Sequence, residues 1–422
     1  MNHVIVPIVT SSDYERHNRM TISKGGNQEM KKKLLGALLS VAMVATVLSG
    51  CGGSTASEAA PAAPAATEDT EEAPAAEAEA DDAAEADDAA APVAEGEGGL
   101  VGVAMPTKDL QRWNQDGSNM EAQLVDAGYE VDLQYASNDV QTQVSQIENM
   151  INNGCKCLVV ASIDGSSLGS VMDMAKAANV PVIAYDRLIM DSDAVSYYAT
   201  FDNYMVGTLQ GEYVRDQLDL DNQDGPFNVE FTTGDPGDNN ANFFFGGAMD
   251  VLKPYIEEGK IVVKSGQTEF ADVATASWAT ENAQSRAENI LSSFYADGSK
   301  LDAWVCSNDS TALGVENALA ANYSGDYPII TGQDCDVANV KNMIDGKQSM
   351  SIFKDTRDLA AKTVEMVDAI MKGGEAPVND TETYDNGTGV VPSYLCAPVF
   401  ADADNYKELL IDSGYYTEAD LQ

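Results

Sequence analysis

From Leu100 onward, short apolar segments alternate with longer amphipathic stretches, and this alternation constrains the fold more than any other feature of the sequence. The apolar segments are predicted to be buried strands: Leu100–Met105, Val131–Tyr135, Cys157–Ala161, Pro181–Ala184, Phe227–Thr232, Ile261–Lys264, Ala303–Ser307, Pro328–Thr331 and Met350–Phe353. The stretches between them are predicted to be helices: Trp113–Ala127, Val140–Asn152, Leu168–Ala178, Asn203–Gln217, Asn240–Glu257, Ala279–Ala296, Thr311–Ala321 and Thr356–Met371. Strands that alternate with helices of this length form parallel βαβ units, and this many units exceeds one compact open sheet. We therefore expect an α/β fold with two doubly wound parallel-sheet lobes.

Several of the predicted strands end in a polar cluster. These clusters are Met105-Pro-Thr-Lys108, Ala161-Ser-Ile-Asp164, Tyr185-Asp-Arg187, Ser307-Asn-Asp309, Gln333-Asp334 and Phe353-Lys-Asp355. Ligands of open α/β sheets bind in the crevice outside the carboxyl ends of the strands. If the two sheets face each other across a cleft, the clusters converge on it and form a binding site divided between two lobes.

The cluster after Pro181–Ala184 places Asp186 directly beside Arg187. A carboxylate and a guanidinium in adjacent positions can accept from and donate to vicinal hydroxyl groups. We expect each to offset the buried charge of the other. The dipeptide alone leaves a second interpretation open, which is a surface ion pair at a strand end.

The chain has a formal net charge of −44, and the acidic excess extends through most of its length. A body with this charge repels phosphate backbones, so we expect no nucleic-acid partner. Residues 52–100 contain fourteen acidic residues, no Lys or Arg and no aromatic side chain. A segment with so little to bury does not offset its ordering entropy, so we predict an acidic disordered tether over residues 51–99, which begins at Cys51.

The first fifty residues have the pattern of a lipoprotein leader. Lys31–Lys33 and the apolar run Leu34–Leu48 are typical of a signal peptide, and the run is shorter than a membrane-spanning helix requires. Leu48-Ser-Gly-Cys51 resembles a bacterial lipobox, in which the cysteine is lipidated and becomes the mature N-terminus. We expect residues 1–50 to be the leader, translation to start at Met30, and Cys51 to carry the lipid.

Several kinds of chemistry find no support in the sequence. The two histidines, His3 and His17, precede Met30, so the mature chain offers no His-based catalytic pair or metal site. In Asp219–Gly225 the glycine stands one position later than a calcium loop requires. No glycine-rich phosphate-binding motif of the P-loop type is present in the sequence. We expect no metal ion and no cofactor.

The polar clusters, together with further motifs, resemble those of a known family. The motifs are Met105-Pro-Thr-Lys108 with Arg112-Trp113, Ala161-Ser-Ile-Asp-Gly165, Ile183-Ala-Tyr-Asp-Arg-Leu188, Asp238-Asn-Asn-Ala241, Gly332-Gln-Asp334 and Ile352-Phe-Lys-Asp-Thr-Arg357. They resemble the periplasmic sugar-binding proteins of ABC importers, in the ribose-binding superfamily, with the greatest likeness to the multiple-sugar-binding and xylose-binding members. The resemblance extends over essentially all of residues 100–422.

The resemblance implies the fold of type I periplasmic binding proteins, in which two lobes are joined by a three-crossover hinge. We place the crossovers near Thr200–Asn203, Lys354–Thr356 and Gly387–Val391. Lobe 1 then comprises residues 100–201 plus 355–389. Lobe 2 comprises residues 202–354 plus 390–422.

The resemblance also implies a set of sugar-binding residues, each at a position that matches a family motif. They are Arg112, Trp113, Asp186, Arg187, Asn240 (with Asn239 and Asn242 as alternatives), Trp278, Asn308, Asp334 and Lys354. This set suits a pyranose, because two aromatic rings can sandwich its apolar face while charged and amide groups bind its hydroxyl groups. Ordinary core packing of Trp113 and Trp278 remains an open alternative.

We therefore expect a membrane-anchored extracytoplasmic solute-binding lipoprotein that is not an enzyme. It would act as a monomer, capture an aldose such as xylose, glucose, galactose or arabinose, and deliver it to an ABC importer permease. Two alternatives are a sensor that presents bound sugar to a membrane receptor and a glycosidase that uses Asp186 and Asp334. Arg187 should lower the pKa of Asp186 and make it a poor general acid, which argues against the glycosidase. A regulator like the lac repressor would need a helix-turn-helix where this chain has its leader.

Overall fold

A computed structural model describes residues 98–422 of the chain. The predicted leader, the Met30 start, the lipidation site Cys51 and the tether up to residue 97 lie outside the described residues. Within residues 98–422, no helix combines the length and the apolar character needed to cross a bilayer.

The strands and helices alternate along the described chain. The strands are β1 (Leu100–Met105), β2 (Glu130–Tyr135), β3 (Cys157–Val160), β4 (Val182–Tyr185), β5 (Val195–Phe201), β6 (Phe227–Thr232), β7 (Ile261–Val262), β8 (Ala303–Cys306), β9 (Ile329–Ile330), β10 (Ser351–Phe353), β11 (Ser393–Cys396) and β12 (Val399–Ala401). The helices are α1 (Gln111–Asp126), α2 (Val140–Asn152), α3 (Gly169–Ala177), α4 (Asn203–Gln217), α5 (Asn239–Glu257), α6 (Phe270–Val273), α7 (Thr280–Phe294), α8 (Asp309–Asn322), α9 (Val337–Ile344) and α10 (Thr356–Met371). The fold is α/β, as the sequence predicts.

The first sheet has six strands in the order β11-β5-β4-β3-β1-β2, and every neighbouring pair is parallel. Strands β3 and β4 are buried along their whole length because helices cover both faces. Successive residues point to opposite faces, so Val159 packs in the core on one side and Leu158 in the core on the other. This burial explains why these strands read as continuous apolar runs in the sequence.

The second sheet has four parallel strands in the order β7-β6-β8-β9. The antiparallel pair β10–β12 follows it, and backbone bonds tie β10 to the segment after β9. Ile352 N donates to Gly332 O (3.1 Å), and Asp334 N donates to Ile352 O (2.8 Å). Two further core clusters cover the faces of this sheet. The carboxyl ends of β8, β9 and β10 are thereby held side by side.

The third predicted crossover needs correction. Strand β11 lies in the first sheet, where Ser393 pairs with Tyr198 and Cys396 with Phe201. Residues 385 and 390 pair in a turn instead of crossing between the sheets. The chain passes to β12 only after Cys396, so the boundary of lobe 1 moves from residue 389 to residue 396. The physical reason is that β5 offers a free edge, which this short segment fills. The remaining lobe boundaries stay an interpretation of the two sheets.

Candidate ligand-binding site

One cavity opens between the carboxyl ends of the strands of the two sheets. All the sequence-predicted site residues line it: Arg112, Trp113, Asp186, Arg187, Asn240, Trp278, Asn308, Asp334 and Lys354. The lining also includes residues outside the predicted sugar-binding set, namely Leu110, Asp238, Phe244, Ser310, Gln333 and Asp336. The empty space is about 430 Å³, counted with the open solvent at its mouth.

Each predicted residue lies just beyond a strand or in the first turn of a helix. The first sheet contributes Arg112 and Trp113 from the start of α1, and Asp186 and Arg187 from the end of β4. The second sheet contributes its residues from the start of α5, the turn before α7, and the ends of β8, β9 and β10. The cavity therefore takes polar groups from both sheets, which is the arrangement expected of strand-end sites.

Arg112 is the centre of the charge network in the cavity. Its Nη1 donates to Asp334 Oδ1 (2.8 Å), and its Nη2 donates to Asp186 Oδ2 (2.8 Å). Its Nε donates to Asp116, a fully buried carboxylate that also accepts a hydrogen bond from Tyr185. A planar guanidinium suits this task because its fork of donors has a fixed geometry. The three bonds fix the orientation of Arg112 and join the two sheets through Asp334.

Asp186 and Arg187 form no direct salt bridge with each other, although the charge of Arg187 contributes to the lowered pKa of Asp186. Asp186 pairs with Arg112 and lies 3.9 Å from the Lys354 ammonium. Arg187 Nε instead pairs with Asp238 Oδ2 at 3.0 Å. Each finds a partner elsewhere in the cavity, and Asp186 has a φ of 57°, a left-handed conformation that is uncommon for a non-glycine residue.

The pKa of Asp186 is lowered, as the sequence predicts. Burial alone would raise this pKa, but the charges of Arg112, Lys354 and Arg187 outweigh it. The pKa of Asp238 is raised, because burial outweighs the effect of Arg187. Asp186 is therefore held as an ionised acceptor.

Asn240 connects the two sheets. Its Nδ2 donates to the backbone carbonyl of Asp186 (2.6 Å), and its Oδ1 accepts from the Tyr198 hydroxyl (2.9 Å). Asn239 is half-buried and Asn242 is exposed, and neither lines the cavity. Of the three candidate asparagines, Asn240 is the one that lies at the site.

The two tryptophans line the cavity with their rings held by specific contacts. Arg187 stacks over the ring of Trp113 at 4.8 Å from its centroid. Trp278 Nε1 donates to Asp238 Oδ2 (3.2 Å). A Cβ atom at Gly234 would come within 1.9 Å of the Trp278 ring, so that position requires glycine. Both rings belong to buried core clusters and also border the cavity, and their contact with a sugar stays a prediction.

Asn308, Asp334 and Lys354 follow strands β8, β9 and β10. Asn308 also caps α8, because its Oδ1 accepts from Thr311 N (3.1 Å). Asp334 has a φ of 99°, an unfavourable conformation for a non-glycine residue. Lys354 Nζ lies 3.1 Å from Asp334 Oδ1. Asp334 therefore accepts from Arg112 and also forms an ion pair with Lys354.

Sequence reasoning missed the role of Asp238, although it stands in the quoted motif Asp238-Asn-Asn-Ala241. It caps α5 by accepting from Asn240 N (3.0 Å), and the same carboxylate holds Arg187 and Trp278. An Asp before a helix is a common cap, so nothing in the sequence distinguished its second role.

Comparison with known proteins agrees with this architecture. The family model for the periplasmic binding protein domain matches residues 101–375 of this sequence. The multiple sugar-binding periplasmic protein SbpA of Azospirillum brasilense is 50% identical over 326 residues, which cover 76% of this chain and 91% of SbpA. The D-xylose-binding periplasmic protein of Escherichia coli is 37% identical over 76% of this chain and 92% of its own length.

A solved structure is still more similar. It is an ABC transporter solute-binding protein from Clostridium phytofermentans with bound β-D-glucose. It is 76% identical, with a TM-score of 0.76, over 76% of this chain and all of the other. These relatives are named as sugar-binding or solute-binding proteins. The chain therefore belongs to the periplasmic binding protein family, among the multiple-sugar-binding and xylose-binding members of the ribose-binding superfamily.

Proposed function

We propose that this protein captures a monosaccharide in the cavity between its two sheets and delivers it to an ABC importer. The observation that carries this proposal is that strand-end residues of both sheets line a single cavity. The first sheet supplies Trp113 and Asp186 and the second supplies Trp278 and Asp334, so neither sheet alone completes the lining. A ligand would therefore bind tightly only when the two sheets close around it.

The groups in the cavity suit a pyranose. Trp113 and Trp278 offer apolar faces to the C–H surface of the ring. Asp186 and Asp334 are acceptors for hydroxyl groups, and Arg187 and Lys354 are charged donors. Hydrogen bonds to charged groups contribute about 1.5–3 kcal/mol each, so several of them support micromolar or tighter binding after the cost of association.

An aldose is the proposed ligand class, with glucose as the first candidate. The Clostridium phytofermentans protein holds β-D-glucose and shares 76% identity with this chain. Xylose, galactose and arabinose are the other candidates, because the relatives include proteins that bind several sugars or xylose.

We also propose that Cys51 carries a lipid that tethers the protein to the outer face of the cell membrane near the importer. This part of the proposal rests on Leu48-Ser-Gly-Cys51 and on the acidic segment that follows it. The tether would let the folded body reach the permease by local diffusion.

The experiment is titration calorimetry of the purified protein with glucose, galactose, xylose, arabinose and ribose, supported by thermal shift. Ligands that bind the folded state raise the melting temperature by mass action. We expect at least one aldopyranose to bind in the micromolar range or tighter. Absence of heat and of thermal shift with every aldose would refute the proposal.

A further inference from the structure

Asp336 occupies the N-cap position of α9 but does not cap the helix. Its side chain accepts no hydrogen bond from the first turn. Five other Asp or Asn residues stand at N-caps of described helices, and each of them accepts such a bond: Asp139, Asp202, Asp238, Asn308 and Asp355. An Asp at this position normally satisfies a free amide of its helix. Asp336 forgoes that bond and lines the cavity instead.

The carboxylate of Asp336 contains a buried atom without a partner. No hydrogen bond reaches its Oδ1 within residues 98–422. An unpaired buried acceptor normally costs free energy, so native structures rarely keep one without a reason. The charged groups that act on it are Asp334, Arg112 and Lys354, which line the cavity, and Asp309, which lies outside the lining and accepts from the Asp336 backbone amide (2.8 Å).

Gln333 provides a second unpaired acceptor in the same lining. Its Nε2 donates to the carbonyl of Ser307 (3.0 Å). This bond fixes the orientation of the amide, because a flipped amide would set two oxygens against each other. Its Oε1 is consequently left buried in the cavity lining without a partner among the described residues.

We propose that Asp336 and Gln333 form a specificity subsite that accepts hydrogen bonds from a sugar hydroxyl group. This inference rests on the proposed function, since it assigns further contacts within the same cavity. A hydroxyl donor would supply what the two oxygens lack, and a ligand without it would leave them buried and unpaired. A site that is built to bond a hydroxyl discriminates strongly against analogues that lack it.

The first test separates a ligand contact from a structural residue by measuring the sugar-free protein. Asp336→Ala should leave the melting temperature unchanged or raise it, because the side chain makes no cap bond and burying it is costly. The matched control is Asp139→Ala, since Asp139 accepts from Thr142 N and lies on the exposed start of α2. The control should lower the melting temperature and leave sugar affinity unchanged. A clear loss of stability in Asp336→Ala would assign the residue a structural role and overturn the proposal.

The second test uses titration calorimetry with glucose and its 1-, 2-, 3-, 4- and 6-deoxy analogues. At pH 8, above the pKa of about 7 to which burial and the charge of Asp334 raise this carboxyl group, Asp336→Ala should weaken glucose binding by about 10- to 100-fold, the value of a hydrogen bond to a charged acceptor. One deoxy analogue should bind the wild type weakly, and its affinity should fall little further in Asp336→Ala. The hydroxyl group that this analogue lacks is the one that Asp336 contacts. Asp336→Asn keeps the shape of the side chain and one acceptor oxygen, so its affinity for glucose should lie between that of the wild type and that of Asp336→Ala.

The outcomes distinguish this inference from the function on which it rests. A wild-type protein that binds none of the sugars overturns the proposed function and this subsite together. A wild-type protein that binds glucose, with Asp336→Ala binding it within twofold, overturns the subsite alone. The subsite would also be overturned if Asp336→Ala weakened the binding of glucose and of every deoxy analogue by the same factor. That result would mean that Asp336 contacts no particular hydroxyl group.

Discussion

At the scale of single residues, the cavity is governed by two ion-pair groups. Arg112 and Lys354 hold Asp186 and Asp334, whereas Asp238 holds Arg187. Every member is nearly buried, so each charge depends on its partners for the loss of hydration. Removal of one member therefore affects ligand binding through the partner left behind as well as through its own lost contact.

Asp186→Ala should weaken sugar binding by about two to four decades. The change removes a proposed hydroxyl acceptor and leaves Arg112 with one fewer carboxylate in a closing, dehydrating cavity. Truncation of one partner of a buried pair costs about 3–5 kcal/mol, and a decade of affinity is about 1.4 kcal/mol. Titration calorimetry measures the loss, with circular dichroism to check folding. Binding near the wild-type level would remove Asp186 from the site.

Arg187→Ala should weaken binding to a similar degree but by a different route. It strands the Asp238 carboxylate and removes the cation that lies over Trp113. The matched control is Lys176→Ala, whose pair with Asp193 is exposed on the surface. Exposed pairs contribute about 0–1 kcal/mol, so the control should leave affinity and fold unchanged. Equal affinity in Arg187→Ala and in the control would refute the assigned role of Arg187.

At the scale of elements, the sequence predicted nine of the twelve described strands, including the half-buried edge strand β2, and missed β5, β11 and β12. Strand β4 is wholly apolar and buried, so its period is unmistakable. Strand β5 has the sequence Val-Ser-Tyr-Tyr-Ala-Thr-Phe and is half-buried over its first three residues, which conceals it among polar neighbours. Strand β11 is four residues long and pairs with β5 alone. Edge pairing depends on tertiary contact, which local patterns do not encode.

The site was predictable to the extent that it follows strand ends. Trp278 and Asn308 could be located because the resemblance fixed their positions in the chain. The partner of Arg187 could not be predicted from the sequence, because Asp238 reaches Arg187 from the other sheet. The same limit applies to Asn240, whose bond to the Asp186 carbonyl exists only when the two sheets meet.

Glu316 in α8 provides a pH test of element packing that is independent of sugar. Burial raises the pKa of Glu316 to about 7, and its Oε1 has no hydrogen-bond partner within the described residues. Its folded pKa exceeds its unfolded value, so its contribution to stability is complete at low pH and is lost as pH rises from about 4.5 to 7. The loss is at most about 3 kcal/mol.

Glu316→Gln should remove this loss of stability at high pH, because the amide of Gln stays neutral at every pH. The variant should melt several degrees above the wild type at pH 8 and close to it at pH 5, measured by circular dichroism. Glu148→Gln, at an exposed position of α2, is the matched control and should show little difference at either pH. If Glu316→Gln raised the melting temperature equally at pH 5 and at pH 8, titration of Glu316 would be ruled out as the cause.

At the scale of the whole molecule, two properties follow from the proposed function: attachment of the protein to the membrane and movement of the two sheets relative to each other. Cys51→Ala should release the protein from the membrane and leave sugar binding intact, because Cys51 lies outside the sugar-binding part of the chain. Fractionation of cells that express each form, followed by a salt wash, measures it. Retention of the variant on washed membranes would contradict the lipobox, since a chain with a net charge of −44 is repelled by anionic lipid.

The closed cavity implies that the protein must open to admit a ligand. Trp113 is 3% exposed and Asn240 is 1% exposed, so a sugar has no path to them in this conformation. Contacts between the two sheets hold it shut. They include the Arg112–Asp334 and Arg187–Asp238 pairs, the Asn240 bond to the Asp186 carbonyl, and a backbone bond from Gly165 N to Gly237 O (3.0 Å). Water can replace polar contacts of this kind when the sheets separate, and hinge closure around a ligand is the expected motion.

We therefore expect sugar to shift an open ensemble toward this closed form. Small-angle scattering of the Cys51→Ala protein should show a smaller radius of gyration at saturating glucose than without it. Acrylamide quenching gives a local measure, because two of the three tryptophans, Trp113 and Trp278, line the cavity, and the third, Trp304, is buried away from it. Sugar should reduce quenching in the wild type but not in Arg187→Ala at the same sugar concentration, since that variant binds too weakly to close. A radius and a quenching constant that stay unchanged at saturation would show that the two sheets do not move relative to each other on binding.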